Sequence, residues 1–236
     1  MTRQDKYRKI YQAFIDKLAT KKKVLLLTTS TRWSGEHEGE LPKSTQLAHL
    51  AKEKLGDKVE IIDVAKLKIY PCEGNVSTAR GNTCGLKGAT LLDKDKNPTG
   101  QIRCWAAFNN PDDELYKIAN AILASDCVVF FASVRWGQAN GMFQKLIERL
   151  TWLENRHTTL GEDNLLAEKS AGFVIVGQNW RAKDIVEIEK GVLEYYGFKI
   201  EDELFWHWQF GNDSHEEDDA TYQNAAHAFH ETFFSQ

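Results

Sequence analysis

The chain has 236 residues, 42% of them hydrophobic and 27% charged, with a net charge of −4. That is enough apolar material for a substantial soluble core, and the acidic balance lacks the basic stripe of a nucleic-acid binder. No apolar run approaches 18 residues, which excludes a helical membrane span, and the charged start MTRQDKYRKIYQAF lacks the apolar stretch of a secretory signal. Four cysteines without an export signal read as thiols of a reducing cytoplasm, so cytoplasmic localisation is expected and the sequons at Asn75 and Asn212 carry no weight.

An amphipathic N-terminal helix is predicted over residues 1–21, with Tyr7, Ile10, Tyr11, Phe14, Ile15 and Leu18 on one face. Strand one, residues 23–28, is the unbroken apolar run of a central parallel strand. It breaks into Thr28, Thr29, Ser30, Thr31 and Arg32, and a helix from about Ser44 to Leu55, ended by Gly56, opens a few residues later. Hydroxyls, a guanidinium and a helix N-terminus at the carboxyl end of one strand suit a phosphate ester. The chain has neither GxGxxG nor GxxxxGK[ST] at this loop. A terminal phosphomonoester held without a metal, as in a mononucleotide such as FMN, is therefore expected; Ser44 as a plain helix cap is the alternative.

Strand two is predicted over 59–64. A long irregular stretch, 66–110, follows and is read as an ordered cover over the crevice. A helix is expected from Asn110-Pro111-Asp112-Asp113, with Leu115, Ile118, Ala119, Ile122 and Leu123 on its apolar face. Strand three is placed at 127–132, a loop at 133–141 and a helix at 142–153. Strand four spans 171–176, a helix 182–196 and a short fifth strand 204–208. A terminal helix at 217–234 is expected to bury Tyr222, Ala226, Phe229 and Phe233. Alternating strands and helices define an α/β doubly wound five-stranded parallel sheet, and right-handed crossovers favour the order 2-1-3-4-5. A single domain covering 1–236 is expected.

In that order the loops TTSTRW, SVRWGQANG and GQNW meet at one sheet edge, where ligands of such folds bind. Ser133 and Gly137 let backbone approach a planar ring, while Trp136, Trp180 and Trp105 are candidates to flank it. Arg135 is placed to neutralise an anion or cover an aromatic face.

Thr29-Ser30-Thr31-Arg32 resembles the GSxR phosphate loop of the flavodoxin-like, NAD(P)H-dependent FMN reductase family, with Thr29 in place of glycine. Lys43-Ser44-Thr45-Gln46-Leu47 resembles the hydroxyl-bearing helix start that follows it. Ser133-Val134-Arg135-Trp136-Gly137 is similar to the second flavin loop, with Val134 where proline is common. Gln144 to Arg149 resembles the family's lysine and acid–arginine helix, and Gly177-Gln178-Asn179 stands where the third flavin loop ends. The resemblance spans about residues 22–200. It implies a flavodoxin-like fold, FMN as cofactor, and NADPH or NADH as co-substrate. It also implies a small-molecule acceptor such as a quinone or flavin, and a homodimer or homotetramer, with α-helix one and the insertion Trp33–Pro42 as interface candidates.

The implied cofactor set is Thr29, Ser30, Arg32, Ser44, Thr45, Ser133, Val134, Arg135, Trp136, Gly137, Gly177, Gln178, Asn179 and Trp180. Direct hydride transfer needs no acid–base residue, so no catalytic side chain is assigned. Arg135 and Trp136 are tuning candidates, and the amides of Gly137 or Gly177 could favour a reduced ring. A flavodoxin-like electron carrier and a non-catalytic binding module are the rival readings.

Cys72, Cys84 and Cys104 lack any CxxC pair, so packed thiols are expected and no metal is assigned. His227 and His230 read as solvent-edge residues, the acids of 215–219 as charges at a helix start, and Arg149 as an ion-pair partner.

Overall fold

A computed structural model describes residues 2–32, 39–78, 81–211 and 219–235. Most of the insertion Trp33–Pro42, Asn212 and all but the last of the acids at 215–219 lie outside them.

Five strands, β1 (Val24–Thr28), β2 (Val59–Asp63), β3 (Cys127–Arg135), β5 (Ser170–Gly177) and β6 (Lys199–Gln209), pair in parallel in the order β2-β1-β3-β5-β6. A two-residue strand, β4 (Gln138–Ala139), pairs antiparallel with the end of β3. The five parallel strands thus have the expected doubly wound 2-1-3-4-5 order. β1 and β5 are buried along their whole length, because both faces of the sheet are covered.

Alternation along the strands divides the core. Leu25, Leu27, Val128 and Phe130 face one layer, built from α4 (Leu115–Ala124), α5 (Gly141–Thr158) and α6 (Ala182–Tyr195). Val24, Leu26, Val129 and Phe131 face the other, built from α1 (Arg3–Ala19), α2 (Lys43–Leu55) and α7 (Asp219–Phe233). α1 opens with a capping box between Thr2 and Asp5. Its buried Tyr7, Tyr11, Phe14, Ile15 and Leu18 meet Trp206, Trp208 and Phe233 of β6 and α7. That apolar face is spent inside the chain. Fully burying one such apolar side chain, as for Phe14, contributes roughly 1.5–3 kcal/mol of transfer free energy.

Several boundaries differ from those predicted. β6 begins five residues early, at Lys199, because its first half is an edge segment whose Glu201, Asp202 and Glu203 hide the strand pattern. A register irregularity between Ala171 and Phe173 accommodates it, where a Cβ on Gly172 would meet Leu204 at 2.8 Å. α5 runs past Leu153 to Thr158, and its polar Glu154, Asn155 and Arg156 are buried. Asn155 donates to the Cys84 carbonyl (2.8 Å), and Arg156 pairs with Glu162 and the Gln101 side chain. α4 starts at Leu115 and not at Asn110. Asp113 is held by the buried guanidinium of Arg149 at 2.7 and 3.0 Å, and it accepts the N–H groups of Tyr70 and Leu115.

The irregular stretch after β2 contains a short helix, α3 (Trp105–Asn109), and packs along α5. Lys145 and Arg149 donate to the Ile69 and Tyr70 carbonyls, and Arg103 pairs with Glu162. Trp105, expected over the crevice, donates its indole N–H to the Thr83 carbonyl within the same stretch. In α7, Ala225, Phe229 and Phe233 are buried, whereas Tyr222 is 49% exposed and Ala226 half-buried. No helix among the described residues is long and apolar enough to cross a membrane.

Candidate functional site

The carboxyl ends of β1, β3 and β5 bound a cavity of about 340 Å³, within the size range of small-molecule sites. Strand order reverses between β1 and β3, so the cavity lies at the topological switch point. Of the residues singled out by sequence, Ser30, Arg32, Ser44, Ser133, Val134, Arg135, Gly177, Gln178 and Asn179 line it. Glu40, Pro42 and Lys43 add the edge before α2. The far wall is α7, through Tyr222, Gln223, Ala225 and Ala226. None of the described residues of 66–110 contributes; that stretch is committed to α5, and the C-terminal helix takes the covering position.

Ser44 is the most informative residue here. α2 begins at Lys43 behind Pro42, which has no side chain to cap it. Ser44 is therefore not the helix cap. Its hydroxyl is buried, with 1% of the residue exposed and no hydrogen-bond partner. A buried hydroxyl without a partner costs roughly 1–3 kcal/mol. Ser44 lines the cavity at the N-terminus of a 13-residue helix, where unsatisfied amide groups and the helix dipole favour an anion.

Two cations share that corner. Arg32 lines the cavity, with Nη1 3.9 Å from Glu40 Oε2. Burial lowers the Lys43 pKa; the Glu40 charge works against it and the smaller effect of Arg32 adds to it. Burial works against ionisation of Glu40, but hydrogen bonds from His230 (2.8 Å) and Gln46 (3.0 Å) outweigh it and hold the carboxyl below its ordinary value. His230, at the solvent edge as expected, ties α7 to the approach to α2.

Thr29 does not point into the cavity as the phosphate-loop resemblance implied. It is fully buried, and its hydroxyl bonds to the Phe131 carbonyl (3.0 Å) and to Asn140 Oδ1 (3.1 Å). Thr45 is also buried and outside the lining.

Asn140, which sequence reasoning missed, organises this corner. Its Oδ1 also accepts the Ser133 N–H (3.0 Å), its Nδ2 donates to the Thr29 carbonyl (2.7 Å), and its N–H reaches the Ser133 carbonyl (3.0 Å). The loops after β1 and β3 are thereby locked together, leaving the Ser30 and Ser133 hydroxyls 3.5 Å apart at the cavity wall. Asparagine before a helix reads as an ordinary N-cap, so sequence gave no sign of this role; the side chain makes no cap bond.

The second loop is shorter than expected. Ser133, Val134 and Arg135 belong to β3, and only Trp136 and Gly137 form the turn into β4. Both have positive φ, 51° and 69°, the mirror-type turn that suits a tight hairpin. This geometry puts Trp136 93% exposed, outside the cavity lining. Gly137 serves the turn: a Cβ there would meet Arg181 at 3.1 Å and Trp180 at 3.3 Å. Trp180 packs in that contact under the Arg181 guanidinium, 5.7 Å from its ring centroid, and also lies outside the lining. At the third loop, a Cβ on Gly177 would meet Val134 at 2.6 Å, so glycine permits β3 and β5 to close. The Gln178 carbonyl accepts the Phe210 and Gly211 N–H groups, anchoring the end of β6.

The cysteines gather away from this cavity. Cys72 and Cys104 approach the buried Arg149 guanidinium, whose Nη2 lies 3.4 Å from Cys104 Sγ, and Cys84 neighbours both thiols. No group of three or more side chains that could hold a metal ion occurs among the described residues.

The fold is that of the flavodoxin-like α/β class. The solved structure of RosB with bound 8-demethyl-8-formylriboflavin-5'-phosphate matches with a TM-score of 0.58 at 16% identity, over 90% of this chain and 75% of that one. An azoreductase from Bacillus anthracis str. Sterne matches at 0.48 and 15%, over 89% and 96% of the two chains. A putative quinone reductase from Klebsiella pneumoniae matches at 0.46 and 17%, over 89% and 82%. No protein-family model matches the chain, and no curated protein matches its sequence.

Proposed function

We propose that this protein is an FMN-dependent NAD(P)H oxidoreductase that delivers hydride to a small acceptor such as a quinone or flavin. The carrying observation is Ser44 at the start of α2: its buried hydroxyl has no partner, and the residue lines a cavity that also presents Ser30, Arg32 and Lys43. A phosphomonoester supplies acceptor oxygens and further negative charge to this donor set, where Glu40 is paired with Arg32 at the edge. The RosB structure, the one neighbour with a TM-score above 0.5 among those described, was solved with a riboflavin-5'-phosphate derivative.

Ser30, Arg32, Lys43 and Ser44 hold the phosphate in this reading. The ring lies along Ser133, Val134, Arg135, Gly177, Gln178 and Asn179. When bound, FMN supplies the hydride-accepting and hydride-donating centre that no amino-acid side chain provides. The chain's own contribution is placement and exclusion of water. Asn140 fixes two of the three loops, Gly177 lets β3 and β5 close, and Tyr222 with Ala225 and Ala226 walls the side opposite the strands. Arg135, at the cavity mouth, is placed to favour negative charge on a reduced ring or on a nicotinamide phosphate. The α7 wall also argues for a substrate-enclosing enzyme over a carrier that leaves its cofactor open.

The test is the visible spectrum of the purified protein with FMN, before and after anaerobic addition of NADPH or NADH, followed by a quinone. Bound flavin absorbance that a nicotinamide bleaches and the quinone restores is the expected result. Failure to bind FMN, or bound FMN that neither nicotinamide reduces, overturns the proposal.

A further inference from the structure

We propose that Cys72 and Cys84 form a peroxide-sensitive dithiol that closes to an intramolecular disulfide, at a site separate from the cofactor cavity and independent of the cofactor reading. The two sulfurs are brought side by side by the backbone between them. The Cys84 N–H donates to the Asn75 carbonyl (2.8 Å) and the Asn75 N–H to the Asn82 carbonyl (3.1 Å), which ties Asn75 to the 82–84 segment. Gly74 makes room for this: a Cβ there would lie 2.1 Å from Cys84 Sγ. Cys72 Sγ in turn lies 4.0 Å from the Gly74 carbonyl oxygen, so both sulfurs border Gly74.

The pair is asymmetric in the way a stepwise oxidation requires. Cys72 is half-buried and reachable from solvent, whereas Cys84 is 4% exposed. The hydrogen bond from Cys84, with smaller help from a Gly74 backbone contact and the Arg149 charge, draws the Cys72 thiol down to about 6 against the opposing effect of burial. Cys84 is pushed up by the same pairing and by burial, so it stays protonated. A thiolate is the nucleophile in such chemistry. Cys104 is buried deeper and engaged by Arg149 at 3.4 Å, which leaves Cys84 as the resolving partner.

The oxidant is a hydroperoxide. The Cys72 thiolate attacks one peroxide oxygen and the O–O bond breaks, giving Cys72 sulfenic acid and an alkoxide or hydroxide that takes up a proton. Cys84 then loses its proton and its sulfur attacks Cys72 sulfur. The S–O bond breaks and the departing hydroxide leaves as water. Two thiols and one hydroperoxide give one disulfide, one alcohol (or water) and one water.

The experiment treats the reduced full-length protein with one equivalent of hydrogen peroxide, counts thiols and maps peptides by mass. Loss of two of the four thiols, with a peptide containing Cys72 joined to one containing Cys84, is expected. Cys104→Ser should form the same link, and Cys84→Ser should leave a Cys72 sulfenic acid that dimedone captures. Retention of all four thiols, or a link to Cys104 in place of Cys84, overturns the proposal; both readouts on the unaltered protein stand even if a variant fails to fold.

Discussion

Substituting Ser44 by alanine should move folding stability and cofactor affinity in opposite directions. In the free protein the Ser44 hydroxyl is buried and makes no hydrogen bond. Removing it deletes a desolvated group without breaking a contact, so Ser44→Ala should leave the apoprotein unchanged or stabilise it by up to about 1–3 kcal/mol. With a phosphate in the cavity the same hydroxyl donates to a charged oxygen, a bond that contributes roughly 1.5–3 kcal/mol. Its loss should weaken FMN binding by on the order of 10- to 150-fold. Urea denaturation of the apoprotein gives the first number, and quenching of FMN fluorescence on titration gives the second. Destabilised apoprotein with unchanged FMN affinity would refute the reasoning, because Ser44 would then be a structural residue whose partner lies within the protein.

Two other residues give tests of the frame around the site. Asp113→Ala strips the two bonds that neutralise the fully buried Arg149 guanidinium, and it should cost about 3–5 kcal/mol in urea unfolding; a loss below about 1 kcal/mol would show that water reaches the guanidinium. Glu201 has its pKa held at about 2, below the ordinary 4.5, because bonds from Lys21, Ser170 and Lys17 outweigh a burial effect of opposite sign. The depressed pKa means that its stabilisation is complete above about pH 4.5 and is lost as pH falls through about 2. The gap allows at most about 3 kcal/mol, reduced to roughly 1–2 by the solvent exposure of its lysines. Glu201→Gln should therefore lower the urea midpoint at pH 7, with the difference from wild type shrinking between about pH 4.5 and 2. A difference independent of pH would show that packing, not charge, is responsible.

What sequence could reveal depended on whether a residue's role was local. The continuous apolar run of β1 and the unbroken core strands β3 and β5 announced a sheet covered on both faces, and chain order with crossover handedness then gave the strand order. The serine of the α2 start and the arginine of the first loop were legible because their chemistry follows from position at a strand's carboxyl end. The first half of β6 was not, since its acids face lysines across the sheet edge and no apolar alternation marks them. The last turn of α5 was hidden for a related reason: Glu154, Asn155 and Arg156 look like a solvated helix end, yet all three are buried and the last two bond to Cys84 and Gln101 far earlier in the chain. Trp136 and Trp180 misled because an aromatic beside glycine suits a ring-binding loop and a hairpin turn equally well. Tyr222 and Asn140 depend on contacts far apart in sequence, which no local pattern encodes.

The Asn140 bonds also bear on temperature and on affinity. Because this one side chain joins the ends of β1 and β3 through bonds within the protein alone, those two loops have little entropy to surrender on binding. A site assembled in advance loses no fraction of its molecules to a binding-incompetent form. Its affinity should consequently follow contact enthalpy as temperature rises, without the steeper decline of a site that must first fold around its ligand.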